Sequence, residues 1–215
     1  MANIQEQNWF QKWSWKTAGW AMICFLAIAG INGLFSYLFD VLLFENKLGY
    51  VYTFFALIFF CTLLAFFYTW HQKNFFGIFS FGLCGLIGIP IEWWLEYSVS
   101  GVLKSPWGAV GWGGIYILYG LAADVSLILL NPQKNETMAI LLTSLIFSGL
   151  FIVLSIIPLK LFYNPPADPL AKDIYSYWYL LIPYGLIQGV MGGYIGLQLG
   201  RVVRKRNQSK DEEIS

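Results

Sequence analysis

Four carboxylates interrupt otherwise apolar sequence: Asp40, Glu92, Glu96 and Asp124. An ionisable group in hydrocarbon surroundings costs a few kcal/mol, so each needs a charge partner, a hydrogen-bond network or a ligand. Glu92 and Glu96 stand four apart, which places both on one helical face provided the helix continues past Pro90. Aromatic rings crowd the same part of the chain, with Trp93, Trp94, Tyr97, Trp107 and Trp112 near these acids and Tyr163, Tyr175, Tyr177, Trp178 and Tyr179 further on. Carboxylates beside indole faces suit a cationic or electron-poor planar molecule. The rings offer stacking and cation–π attraction of roughly 0.5–2 kcal/mol each, and the acids pair with positive charge or accept hydrogen bonds. The same rings also fit an interfacial belt, where Trp and Tyr are ordinarily enriched. A belt does not require acids between its rings.

The elements that must position these residues are six apolar stretches, at about 17–44, 48–70, 75–97, 107–130, 138–163 and 177–200. Each has at least the roughly 20 residues with which an α-helix crosses about 30 Å of hydrocarbon. Apolar residues make up 58% of the chain and charged ones 12%, about half the charged share of soluble domains. An aqueous surface of ordinary size cannot be covered with so few ions. The expected fold class is therefore all-α, a polytopic six-transmembrane-helix bundle in the cell membrane. It divides into an amphipathic interfacial segment at 1–16, the helical domain at 17–200 and a charged cytoplasmic tail at 201–215. Placing both termini inside puts nine Lys and Arg residues at inner segments (Lys12, Lys16, Lys73, Lys134, Arg201, Arg204, Lys205, Arg206, Lys210) against four outside (Lys47, Lys104, Lys160, Lys172), as the positive-inside rule favours. Asp40, Glu92 and Glu96 then lie at the outer ends of their spans. Asp124 lies within two turns of an inner end, where it either caps or snorkels at the interface or faces a polar cavity. The segment from Ser98 to Gly108 has the length and turn residues of a lid over the outer cluster.

Cysteine and histidine usage narrows the chemistry. Cys24, Cys61 and Cys84 lie in apolar spans without CxxC spacing, and His71 is the only histidine, so neither a disulfide framework nor a metal or haem centre is expected. No nucleotide loop, HExxH or GxSxG occurs. The reading is of a protein without cofactor and without catalytic residues, with no nucleic-acid partner. Asn135-Glu136-Thr137 matches a glycosylation acceptor but falls on the expected cytoplasmic side. Pro90, Pro158 and Pro183 interrupt three spans, and such interruptions bend helices where a cavity can form.

The last span carries glycines in two registers, Gly185, Gly189, Gly193 and Gly192, Gly196, Gly200, and the first has a shorter Ala29-x-x-x-Gly33. Small residues every four positions let another helix approach closely. That helix is either internal or a partner's.

Taken together, Ser14-Trp15-Lys16 opening the first span, Gly120-Leu-Ala-Ala-Asp124 in the fourth, and Tyr179-Leu-Leu-Ile182 followed by Gly189, Gly193, Gly196 and Leu199-Gly200 in the last resemble the substrate-binding membrane subunits (S components) of energy-coupling-factor transporters, in particular the thiamine/hydroxymethylpyrimidine-related family. The first span has Ala29-x-x-x-Gly33 where the wider pattern has Ala-x-x-x-Ala. The resemblance implies a six-helix subunit that captures a vitamin or its precursor from outside. An acid at Asp124 and another at Glu92 or Glu96 would shape its site, and a separate transmembrane coupling subunit and ATPases would be its partners. The expected substrate-binding residues are thus Asp40, Glu92, Trp93, Trp94, Glu96, Trp107, Trp112 and Asp124, and the expected packing residues Ala29, Gly33, Gly185, Gly189, Gly193 and Gly196. Partners are a small molecule, membrane lipids and the coupling subunits. Two other readings stay open: a structural or assembly subunit that docks through the glycine face, and a small intramembrane lipid-modifying enzyme using Glu92 and Glu96 as acid and base.

Overall fold

The computed structural model describes residues 14–37, 49–100, 107–162 and 169–214, with side chains over 14–31, 56–90, 110, 113–154, 179–180 and 182–209. It is all helical over the described residues. The helices are α1 Trp15–Tyr37, α2 Gly49–His71, α3 Phe76–Ser100, α4 Trp107–Leu130, α5 Glu136–Phe162 and α6 Pro169–Ile214. Two contain stretches long and apolar enough to cross a membrane, Gly113–Leu130 in α4 and Glu136–Leu154 in α5. Shorter apolar stretches, Trp15–Ile31, Ala56–His71 and Phe76–Pro90, lie in the first three.

The helix starts follow local capping. Ser14 Oγ accepts the Thr17 N–H at 3.2 Å, so α1 begins at Trp15. Asn135 Oδ1 accepts the Met138 N–H at 3.1 Å, which makes this residue the cap of α5. α4 ends at Asn131, whose φ of 45° is the left-handed conformation that asparagine tolerates at a helix C-terminus. α3 does run through Pro90, so Glu92 and Glu96 share one helical face. At the other end of the chain, the span expected at 177–200 and the tail expected at 201–215 are one helix of 46 residues, about 69 Å long at 1.5 Å per residue. The charged tail is a continuation of α6, because nothing in Arg201–Ile214 breaks a helix.

The helices close into a ring in the order α1, α3, α4, α5, α6, α2, with the broadest contacts between α2 and α6 and between α3 and α4, and α2 also touching α5 and α3 across the ring. Glycine sets both broad contacts. A Cβ on Gly120 would lie 2.7 Å from Ile78 Cα, one on Gly113 2.7 Å from the Gly85 carbonyl oxygen, and one on Gly77 2.7 Å from the Gly120 carbonyl oxygen. α3 and α4 therefore touch backbone to backbone. On α6 the two glycine registers face different helices. Gly185, Gly189 and Gly193 lie against Ile152, Ser148 and Ser144 of α5, whereas Gly192, Gly196 and Gly200 lie against α2 at Ile58, Thr62 and Thr69. Both registers are thus used inside the chain. Ala29 is half-buried on α1. The side-chain surroundings of Gly33 lie outside the described residues.

The core between these seams is aromatic. Phe60 meets Phe81 edge to face at 5.4 Å, Tyr119 stacks on Phe151 at 4.5 Å, and Phe147 joins Phe81 at 5.1 Å. All five rings are at least nine-tenths buried. His71 lies in a second cluster with Trp20, Phe67, Trp70 and Phe76, where it packs as a ring. Cys24 and Cys61 are buried and all three cysteines are free thiols.

Candidate functional site

The residues fall at two ends of the bundle. At one end, α3 starts without a cap of its own, since Phe75 precedes it and has no side-chain acceptor. Its first N–H groups would otherwise lack partners. Asp124 of α4 supplies the acceptor. Its Oδ1 takes the Phe75 N–H at 2.9 Å and the Gly77 N–H at 3.3 Å, and its Oδ2 takes the Ile78 N–H at 2.6 Å. The Tyr68 hydroxyl of α2 donates to Oδ1 at 2.6 Å and itself accepts the Gly77 N–H at 3.1 Å. A carboxylate at a helix N-terminus also faces the positive end of the helix dipole. Phe75 holds a φ of 72°, a left-handed conformation rare for a bulky residue. Its N–H bond to Asp124 fixes that turn. Asp124 is 2% exposed, and its four donors come from α2 and the start of α3, which makes this α4 residue the joint of α2, α3 and α4.

A second joint lies at the same end. Glu136, in the first turn of α5, receives Arg204 Nη1 at 2.6 Å and Arg201 Nε at 3.0 Å from α6. Arg201 Nη2 also donates to Thr137 Oγ1 at 2.7 Å, and Arg204 Nη1 to the Thr69 carbonyl oxygen at 3.0 Å. That carbonyl belongs to the last turn of α2, whose C=O groups lack helical partners. One acid and two guanidiniums thereby tie α2, α5 and α6 together. In the neighbouring loop, partial burial lowers the ammonium pKa of Lys73 from its usual value.

The opposite end holds the other expected site residues. Gly85 against Gly113 brings the C-terminal part of α3, with Glu92, Trp93, Trp94 and Glu96, level with the start of α4, with Trp107 and Trp112. Their backbone positions thus share one end of the bundle, and their side chains lie outside the described residues. Asp40 lies outside them altogether. Asp124 is not part of this group: it follows Trp107 by seventeen residues on the same helix, about 25 Å, and its acceptor sites are taken by the α3 cap. Asp124 caps the start of a different helix, α3, from a buried position.

Sequence reasoning missed Tyr68, Glu136, Arg201, Arg204 and the α3–α4 glycines. The Asn135-Glu136 pair opening an apolar run signals a helix start, and two arginines at the end of the last span signal its counter-charge. Gly77 with Gly85 and Gly113 with Gly120 repeat at about two turns, longer than the four-residue spacing that marks such contacts.

Over the described residues the chain is all helical, with two helices long and apolar enough to cross a membrane. Beyond that class, no family model, curated protein or solved structure matches the chain. Among the described residues no group of His, Cys, Asp or Glu is placed to hold a metal ion.

Proposed function

We propose that this chain is a six-span, multi-pass membrane protein with both termini cytoplasmic, acting as the solute-binding subunit of an uptake transporter. It takes an aromatic or cationic small molecule, thiamine-like in chemistry, at the end of the bundle that carries Glu92, Glu96, Trp107 and Trp112. Transport energy comes from separate coupling and ATPase subunits. The observation that supports this reading is the alignment of the α3 C-terminus with the α4 N-terminus, which brings the backbone positions of Glu92, Glu96, Trp107 and Trp112 to the end away from the Asp124 and Glu136 joints. The glycine faces that an assembly-subunit reading would use are occupied by α2 and α5 of the same chain.

The test is tryptophan fluorescence of the detergent-solubilised protein titrated with thiamine and with hydroxymethylpyrimidine. Saturable quenching is expected, and Glu92→Gln with Glu96→Gln should weaken thiamine binding at least tenfold. Absence of quenching by either compound counts against the reading, and lipid turnover abolished by Glu92→Gln would favour the enzyme instead.

A further inference from the structure

At the end of the bundle that holds the Asp124 and Glu136 joints, the balance of charge is one-sided. Among the described side chains the acids there are those two, and both are committed, one to the α3 start and the other to Arg201 and Arg204. Lys16, Lys73, Lys134, Lys205 and Arg206 lie at the same end, all exposed except half-buried Lys73. Two of these cations converge. Trp20, one turn after Lys16 on α1, meets Trp70 of α2 edge to face at 4.5 Å and lies 6.0 Å from the His71 ring. Lys73 follows His71 by two residues in the α2–α3 loop, and the positive charges of Lys16 and Lys73 both bear on that ring. The start of α1 and the end of α2 thereby bring two ammonium groups to one corner. Below it, α1 has two faces. Thr17, Ala21, Cys24 and Ile28 are buried in the bundle, whereas Trp15, Met22, Ile23 and Leu26 are exposed on the opposite side, Trp15 at 95%. By helical spacing Lys16 stands at the edge of this outer face, beside the exposed indole.

We propose that Lys16 and Lys73 hold the phosphate of an anionic phospholipid at the α1–α2 corner, with an acyl chain laid along Met22, Ile23 and Leu26. A basic pair heading an exposed apolar helix face matches both parts of such a molecule, and basic pockets between helices on the cytoplasmic side suit anionic headgroups. Trp15 stands at the level of the headgroup, where indoles are favoured. A soluble acidic partner would match the lysines and leave the apolar face unused. The proposal rests on the reading of the chain as a membrane protein and is independent of the solute site at the far end. Among the described residues α1 meets only α2 and α3, so a headgroup shared by Lys16 and the α2–α3 loop adds a third hold on this helix.

The experiment reconstitutes the full chain as wild type, Lys16→Gln, the Lys16→Gln and Lys73→Gln double variant, and Lys134→Gln into vesicles of equal parts phosphatidylglycerol and phosphatidylcholine. Each is re-extracted in mild detergent and its retained lipids are measured by mass spectrometry. At roughly fivefold for each lysine near an anionic headgroup, wild type should enrich phosphatidylglycerol about twentyfold and Lys16→Gln about fivefold, with the double variant retaining both lipids in proportion. Lys134→Gln, on the α4–α5 loop, should keep the wild-type preference, which separates a site at this corner from the general positive charge of this end. Lys16 is exposed, so its Gln variant tests the site even where the double variant fails to fold. Excess inorganic phosphate should leave the enrichment unchanged, and displacement by it would show a site for a soluble anion and overturn the lipid. Vesicle flotation without enrichment, or an equal loss in Lys134→Gln, overturns the site while the membrane reading stands. A wild type that floats with vesicles of neither lipid overturns both.

Discussion

Asp124 and Glu136 lie at the same end of one bundle, and they are held in opposite ways. Glu136 is met by two guanidiniums and stays partly accessible, with a side chain 17% exposed. Asp124 has no cation at hydrogen-bonding distance among the described residues; it is surrounded by three backbone amides and a phenol. The first arrangement uses charges that water can still screen. The second replaces water with dipoles already fixed by a helix start, so the acid substitutes for a cap that α3 lacks. A buried acid in an apolar helix is thus not by itself a sign of a ligand, because its acceptor capacity can be spent entirely on architecture.

That contrast can be broken by substitution. The largest effect belongs to Asp124→Ala, which strands the Tyr68 hydroxyl and three amides; at roughly 1–3 kcal/mol for each buried group left unpaired, a loss of about 4 kcal/mol is expected. Unfolding in detergent would register it as a collapse in folded yield. Next comes Gly120→Ala, whose methyl meets Ile78 Cα at 2.7 Å. Overpacking of that kind costs about 2–3 kcal/mol, and a melting temperature equal to wild type would show that α3 and α4 do not touch as described. Tyr68→Phe removes one of the four donors and leaves the cap, for about 1.5 kcal/mol. Glu136→Gln should cost only about 1 kcal/mol, because both guanidiniums can return to water. Its cost should shrink further as salt rises, whereas that of Tyr68→Phe should not change with salt. Equal salt dependence in the two variants would erase the distinction between the joints. Gly30→Ala, with nothing within 4 Å of the added methyl, should stabilise slightly, by about 0.5–1 kcal/mol, through helix propensity.

Hydrophobic stretches located the six helices of the described residues, and the helix through Pro90 put Glu92 and Glu96 on one face, because length and apolar content are local properties. The α6 glycine registers were legible for the same reason, although only packing could say that one meets α5 and the other α2. What stayed hidden was pairing between distant segments. Nothing near Asp124 in sequence names Phe75, Gly77 and Ile78 as its donors, since they are bare amides whose chemistry is identical at every residue. The Glu136 joint needs α5 and α6 to be neighbours before its charges mean anything.

The central claim is that ligand chemistry belongs to the far end and architecture to the Asp124 end. Its most direct test is a parallel fluorescence titration with thiamine of Asp124→Asn and Glu92→Gln, both held below their melting temperatures. The account predicts near wild-type affinity for Asp124→Asn despite its lower melting temperature, and at least tenfold weaker binding for Glu92→Gln at unchanged stability. Binding lost in folded Asp124→Asn and kept in Glu92→Gln would contradict it and move the site to the other end of the bundle.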